Sequence, residues 1–355
     1  MWQSAEKEKA MQLENKTKES RRMPKIKVAI IGFGGMGQRW AKIADTCRES
    51  HLNLIIDTDK KKSKEAERLK YNFDSDLKAI LSPEIDAVVI ATPNVCLAPI
   101  TKLALQNSKH VLCEKPAGIN IKEVKENIHL AEVNKRVYMT GFNHRFHPAL
   151  ALAKQLVSSG AIGKIHFIRG VYGHGGRVGY ENEWRNKPEL AGGGELLDQG
   201  VHLIDLAFWF LEDIFEKIHG VLAGNFWSKN TEDNAFVILQ SRSGATVSLH
   251  ASSTQWQKRF LWEIYGESGY ITVEGLGGNY GLETLRYRNR HIDTGNLSEE
   301  EIFYFPPENG REDPDISLFS LWDEFIASIR SGKEYGPNGS DALNALGVIE
   351  KIYQK

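Results

Sequence analysis

The sequence predicts an α/β chain in two parts: a doubly wound parallel sheet in the N-terminal portion, then an α+β portion built on a large, mainly antiparallel sheet. Three observations carry this. Short, wholly apolar runs such as Val28-Ala29-Ile30-Ile31 and Ala87-Val88-Val89-Ile90-Ala91 alternate with helical patterns, and strands that apolar are covered on both faces, as in a parallel sheet flanked by helices. A glycine-rich turn at 32–37 leaves the first strand and opens a helix. Beyond Pro148 the texture changes to long alternating strands separated by short polar turns, the pattern of antiparallel pairing.

The elements follow in order. Strand 28–31 leads into a helix marked by Trp40, Ile43 and Ala44; strand 52–56 precedes a charged surface helix at 61–69. Strand 87–91, a helix after Pro93, strand 110–113, helix 121–134 and strand 137–140 complete the first sheet. The second is expected from strands 163–173, 217–225, 235–241, 245–253, 260–266 and 270–275, joined by turns such as Arg242-Ser243-Gly244 and Glu267-Ser268-Gly269. Val247, Leu249 and Ala251 alternate with Thr246, Ser248 and His250, so one face enters a core and the other is half-polar, a surface often used between subunits. A helix carrying Asp198 packs on this sheet, and helices at 318–330 and 341–353 close the chain. The organisation expected is a disordered or loosely helical extension at 1–22, a dinucleotide-binding unit at 23–146, and a substrate-binding and oligomerisation unit at 147–355. The extension is rich in Lys, Glu, Gln and Ser, too polar to offset its ordering entropy, a reading under which Met23 can serve as the functional start; the alternative reading is an arm that wraps a partner subunit.

Composition excludes several classes. A net charge of -1 provides no basic field for nucleic acid or an anionic membrane. The longest apolar run, near Leu206–Leu211, is too short to span a bilayer. Three cysteines, Cys47, Cys96 and Cys113, have neither disulfide nor zinc spacing, so a cytoplasmic home and no metal are expected. His144 and His147 are three apart but lack a suitably spaced acidic partner, and read as structural.

The chemistry begins at Gly32-Phe33-Gly34-Gly35-Met36-Gly37. Gly32 permits the turn out of the strand, Gly34 lets the backbone approach a pyrophosphate, and Gly37 lets the helix pack closely. The helix N-terminus adds free N–H groups and a favourable dipole. Asp57, twenty-five positions after Gly32, ends the second strand; there it accepts from ribose hydroxyls and repels a 2′-phosphate, favouring NAD over NADP. Lys60-Lys61-Lys62 reads as a solvated helix start, with phosphate binding as the competing role.

Glu114-Lys115-Pro116 follows strand 110–113 at the carboxyl edge of the sheet, where a lysine can favour a developing alkoxide. Further along, Gly192-Gly193-Gly194 introduces Asp198-Gln199-Gly200-Val201-His202. In a helix Asp198 and His202 stand one turn apart, so a carboxylate and an imidazole converge beside a flexible, side-chain-free approach. Candidate substrate contacts are Asn143, His144 and Arg145 after the last strand of the first sheet, and Arg177, Trp184 and Arg185 from the loop Tyr172-Gly173-His174-Gly175-Gly176-Arg177 onward. Two arginines suit an anionic substrate and a tryptophan suits stacking on a sugar or base; a neutral sugar stays equally open.

The glycine motif, Ala91-Thr92-Pro93-Asn94, Glu114-Lys115-Pro116, Gly141-Phe142-Asn143-His144-Arg145-Phe146 with Pro148, and the glycine-rich segment ending at His202 stand in the order and spacing of the glucose-fructose oxidoreductase and inositol dehydrogenase (Gfo/Idh/MocA) family. The chain resembles that family from Lys25 to its C-terminus. The resemblance implies a Rossmann domain, an open-faced antiparallel sheet used in homodimers or homotetramers, and NAD(P)-dependent oxidation of a hydroxyl on a sugar, nucleotide sugar or cyclitol. It implies cofactor contacts from Gly32, Phe33, Gly34, Gly35, Met36, Gly37, Asp57, Thr92, Asn94, Glu114 and Lys115, catalytic roles for Lys115, Asp198 and His202, with His202 the acid/base, and a cis Lys115–Pro116 bond. It departs at Leu97, where the family often carries histidine. Rival readings within the same fold are a glycosidase or self-recycling oxidoreductase with retained NAD, and a non-catalytic dinucleotide-binding regulator, which would lack the Lys115, Asp198 and His202 constellation present here.

Overall fold

The computed structural model describes residues 24–306 and 316–354, apart from 225, 229 and 292; the expectations for residues 1–22 fall outside it. Six strands, β1 (Ile26–Ile31), β2 (Ser50–Ile56), β3 (Phe73–Asp74), β4 (Ala87–Ile90), β5 (His110–Cys113) and β6 (Tyr138–Thr140), form one sheet in the order β3-β2-β1-β4-β5-β6. That is the doubly wound order. β1 pairs parallel with β2, and β5 with β6. Val28, Ala29 and Ile30 are fully buried, as are Ala87 to Ile90, so the apolar runs reflect burial on both faces.

The chain separates into two compact units, one ending at Val89 and the other beginning at Ile90. The boundary expected at 146/147 lies in the stretch between β6 and the next strand. In the first unit, α1 (Gly35–Thr46) buries Trp40, Ala41, Ile43 and Ala44. The helix α2 (Lys62–Arg68) is short and polar; Lys62 pairs with Glu65 at 3.6 Å.

The second sheet holds β7 (Ile165–Gly173), β8 (Phe215–Ala223), β9 (Asn234–Ser241), β10 (Thr246–Ser252), β11 (Arg259–Gly266), β12 (Gly269–Glu274), β13 (Glu283–Asn289) and β14 (Glu301–Phe305), in the order β14-β13-β12-β11-β7-β10-β9-β8. Its pairings are antiparallel except between β7 and β10, which run parallel. β13 and β14 extend the sheet beyond the strands anticipated. Val247, Leu249 and Ala251 face the core at 3% exposure or less, while Phe236 and His250 stack at 4.1 Å on the opposite face.

The remaining helices are α3 (Asn94–Gln106), α4 (Ile121–Asn134), α5 (Pro148–Ser158), α6 (Pro188–Ala191), α7 (Val201–Leu211), α8 (Ile316–Ser331) and α9 (Gly339–Tyr353). Caps set their starts: Asn120 Oδ1 accepts from Glu123 N at the head of α4, and Asn338 with Asp341 forms a capping box on α9. α7 packs on β7 and β10, covering the apolar face. Among the described residues no helix is long and apolar enough to cross a membrane.

Gly37 makes a sharp prediction here. A Cβ at this position would lie 1.8 Å from Gly32 O, a clash with backbone that no rotamer relieves. Gly37→Ala is expected to lower the melting temperature and to remove the shift that NAD produces in the wild type, since a ligand stabilises only a fold that can bind it; thermal melts with and without NAD check both.

Candidate functional site

The nucleotide-binding side is built within the first unit. The turn after β1 bends at Gly32, φ +89°, which only glycine adopts without strain. Gly34 and Gly35 have nothing within 4 Å of a constructed Cβ, so the loop presents bare backbone at the start of α1. Phe33 is fully buried and contributes through its main chain. Its N–H donates to Asp57 Oδ2 at 2.6 Å, while Asp57 Oδ1 accepts from Asp59 N at 2.8 Å. The carboxylate is thereby oriented at the carboxyl end of β2. An open glycine cradle, a helix N-terminus and an oriented acid suit a dinucleotide: Gly32 to Gly37 would hold its pyrophosphate and Asp57 a ribose. Met36 is half-buried, with Arg39 Nη1 3.8 Å from its sulfur.

In the second unit the glycine run is a packing device rather than the flexible approach expected. Gly192 has φ +75°, and Cβ atoms on Gly193 and Gly194 would lie 2.4 Å from Tyr353 Oη and Glu232 O. Glu232 Oε1 accepts from both Leu196 N and Tyr353 Oη. This close packing steers the chain into a π-turn, Leu196–Gly200, before α7 starts; such turns often mark functional sites.

Asp198 sits on that turn, and the carboxylate is nearly sealed from solvent. Lys115 Nζ donates to Asp198 Oδ1 at 2.7 Å and to its carbonyl at 2.6 Å; Arg185 Nε donates to Oδ2 at 3.0 Å. Burial alone would raise the carboxyl pKa, but Lys115 and Arg185 outweigh it and hold Asp198 well below the usual range. The Lys115–Pro116 bond is cis, as the resemblance implies.

His202 does not pair with Asp198. The four-residue spacing straddles the π-turn and α7, and the carboxylate is taken by the two cations. The His202 ring instead stacks on His144, centroids 4.0 Å apart and planes 22° apart, with Phe142 and Tyr172 edge-on at 6.1 Å. Burial, then the nearby Lys115 and His147, push its pKa well below the ordinary histidine value, so the ring is neutral at physiological pH.

Several sequence candidates are committed to the protein itself. Arg145 donates to both oxygens of Asp205 and to Asp341 Oδ1; this cluster ties the turn after β6 to α7 and α9 and occupies the guanidinium expected to meet substrate. Burial lifts the Asp205 carboxyl to about 6 despite Arg145. Asn143 Nδ2 donates to Ser317 Oγ at 2.8 Å, and His144, 4% exposed, lies against His202. Arg177 is exposed and bidentate with Glu183. Trp184 carries the Arg185 guanidinium over its ring at 4.6 Å, which steadies the arginine that holds Asp198. Asn94 Nδ2 donates to Ala191 O at 2.9 Å, joining α3 to α6. Thr92 Oγ1 is buried without a hydrogen-bond partner among the described residues, and Glu114 N donates to Ile90 O. Leu97, the position of departure, is fully buried.

Sequence reasoning missed Glu195 and His174. Glu195 is 4% exposed, and its pKa is raised far above the ordinary value by burial and by Asp198; of these two close carboxyls Asp198 is the ionised one, because the cations touch it. His174 Nε2 stands 3.6 Å from Glu195 Oε1. The available signal was a second carboxylate three residues before Asp198, obscured because the glycines around it read as loop. Among the described residues no cluster of three or more His, Cys, Asp or Glu has the arrangement of a metal site.

The comparisons with known proteins bear on the family and the fold. The model of an oxidoreductase family with an NAD-binding Rossmann fold matches residues 26–142, and that of the GFO/IDH/MocA C-terminal domain matches residues 150–272. A levoglucosan dehydrogenase from Pseudarthrobacter phenanthrenivorans is 28% identical over 309 residues, covering 76% of this chain and 75% of the relative. An inositol 2-dehydrogenase from Rubrobacter xylanophilus is 27% identical, covering 72% and 73%. A solved structure of levoglucosan dehydrogenase with NADH superposes with a TM-score of 0.83 at 24% identity, over 93% of this chain and 96% of that one; at that identity the likeness speaks for the fold.

Proposed function

This chain belongs to the Gfo/Idh/MocA family of oxidoreductases and carries its NAD-binding Rossmann fold over residues 26–142; from that premise we propose that it oxidises a secondary hydroxyl of a sugar, nucleotide sugar or cyclitol. The observation that carries the proposal is the buried Lys115–Asp198 contact of 2.7 Å close to a neutral His202. NAD, when bound, supplies the hydride acceptor. His202 accepts the hydroxyl proton, a role open to a neutral imidazole. The Lys115 ammonium favours the developing alkoxide in a site from which water is largely excluded. Asp198 orients Lys115 and offers an acceptor to a substrate hydroxyl, and Arg185 fixes Asp198 from the other side.

Charge bears on the substrate. Arg185 is already paired with Asp198 and near Glu183, and Arg177 is paired with Glu183. With both cations compensated, the site favours a neutral sugar or cyclitol over a phosphorylated or nucleotide-linked one. The exposed Val221, Phe236 and Ile238 on the outer sheet face support a homodimer or homotetramer formed through that sheet.

The test is absorbance at the NADH band with NAD and NADP offered separately against inositols, aldoses, sugar phosphates and UDP-sugars. Reduction of NAD with a neutral polyol supports the proposal. No reduction across the panel, with cofactor co-purifying, would overturn it in favour of a retained-cofactor glycosidase or self-recycling enzyme. Asp57→Ala is expected to lower the NAD to NADP ratio of kcat/KM by roughly tenfold or more, because the repulsion of a 2′-phosphate is removed; an unchanged ratio counts against the assigned role of Asp57.

A further inference from the structure

A histidine acting as general base is ordinarily oriented by a third group, commonly a carboxylate on its second ring nitrogen. Among the described residues His202 has none. Its Nδ1 is buried without a hydrogen-bond partner among them. The two acids nearest in sequence are engaged elsewhere: Asp198 holds Lys115 and Arg185, and Asp205 holds Arg145. We propose that His144 is the positioning residue of His202, its ring face taking the place of the missing carboxylate by fixing the plane of the imidazole and keeping it dry. The inference deepens the reading of His202 as proton acceptor and rests on it.

Geometry supports this from both sides of the stack. The rings lie 4.0 Å apart and 22° from parallel. His144 is itself held: its Nδ1 is 3.3 Å from Asn143 Oδ1, and the Asn143 amide nitrogen is spent on Ser317. Asn143 Oδ1 is therefore the acceptor, His144 Nδ1 carries the hydrogen, and Nε2 is bare; that nitrogen too is buried without a partner among the described residues. Edge contacts to His147 at 5.5 Å, Tyr172 at 4.9 Å and Phe260 at 5.8 Å fix the remaining freedom. Behind them His147 Nδ1 meets Glu283 Oε2 at 3.2 Å, and Glu283 Oε1 accepts from Ala149 N at 2.6 Å. A neutral His144 also leaves room for charge on its neighbour, since two stacked imidazolium ions in a dry pocket would repel.

The ionisable groups facing His202 are Lys115 from the loop after β5, His144 and His147 from the turn after β6, and Tyr172 from β7. Burial is the first cause of its low pKa, ahead of Lys115 and His147. Removing the His144 ring admits water and relieves that burial, so the pKa climbs toward about 6.5. A base must be neutral, so the acid limb of kcat/KM climbs with it.

The experiment compares wild type, His144→Ala and His144→Phe by pH profile, kcat against KM, and NMR titration of the His202 ring, the last needing no substrate. His144→Ala is expected to lower kcat roughly 10- to 100-fold with KM within about threefold, as a displaced catalytic group does. Its acid limb and the His202 titration should both move up by about one pH unit or more. His144→Phe, flat and apolar, restores most of the rate and returns both pH readouts to low values. If H144A does not fold, the nonplanar His144→Leu replaces it. A folded H144A or H144L with wild-type kcat and acid limb overturns the proposal, and so does an H144F as impaired as H144A, which would assign the effect to a ring nitrogen rather than a ring face. His202→Ala separates the two levels: if it abolishes turnover while H144A is silent, only the positioning role fails, whereas an active H202A removes both.

Discussion

His202→Ala is expected to lower turnover by roughly a hundredfold or more, the usual contribution of a general base, while the dissociation constant for NAD changes less than about threefold. Two observations set the direction. His202 lies in the second unit with Lys115, Asp198 and His144 around it, whereas the glycine turn and Asp57 are in the first, so its loss leaves the nucleotide loop intact. Its low pKa, caused first by burial, keeps it neutral at working pH, and a neutral imidazole accepts a proton without first losing one. Steady-state kinetics and a fluorescence titration with NADH read the two quantities separately. Equal rates in wild type and variant would remove His202 from the mechanism and move the proton to another acceptor.

Asp198→Ala should cost both activity and stability. The variant leaves the Lys115 ammonium and the Arg185 guanidinium without the anion that both contact, in a pocket where Asp198 itself is 8% exposed. Breaking a buried pair in this way costs about 3–5 kcal/mol, mostly because uncompensated charge remains. Asp198→Asn, which keeps the shape and the acceptor oxygen, should fall less far. The pH dependence has a definite sign. The folded pKa of Asp198 lies below the unfolded value of about 3.9, so its stabilisation is fully present above that value and is lost as pH falls through the folded one. The stability gap between wild type and D198A should thus be constant from pH 5 upward and narrow in strong acid. Denaturant melts across pH check this; a gap that widens in acid would mean that Asp198 is not the ionised partner.

Much of the fold was legible because burial writes itself into the pattern. The runs in β1 and β4 are apolar throughout since both faces are covered, and the glycines at 32–37 are dictated by a turn and a close approach. β13 was harder to see: Leu285 and Tyr287 alternate inward, but Arg286 and Arg288 between them give the segment a polar look. β14 is an edge strand with mostly exposed residues, so it lacks the apolar period on which strand recognition depends. The site was legible in its residue types and not in its pairings. Asp198 and His202 read as partners at helical spacing, yet the π-turn and the two cations Lys115 and Arg185 separate them.

What the sequence determined on its own is local: the glycine turn with its following helix, the acid after β2, the helix caps, and the presence of a lysine, an aspartate and a histidine in family order. What only the tertiary structure decided is who meets whom. Lys115 reaches Asp198 across 83 positions and Arg145 reaches Asp341 across 196. Burial, and then Asp198 beside it, push the Glu195 carboxyl far above its ordinary range while the cations hold Asp198 low, and His144 lies under His202 because a turn and α7 converge on one sheet face. Contacts of that span are set by packing and by the cost of leaving buried charge unpaired, terms that depend on the folded neighbourhood and leave no period in the chain.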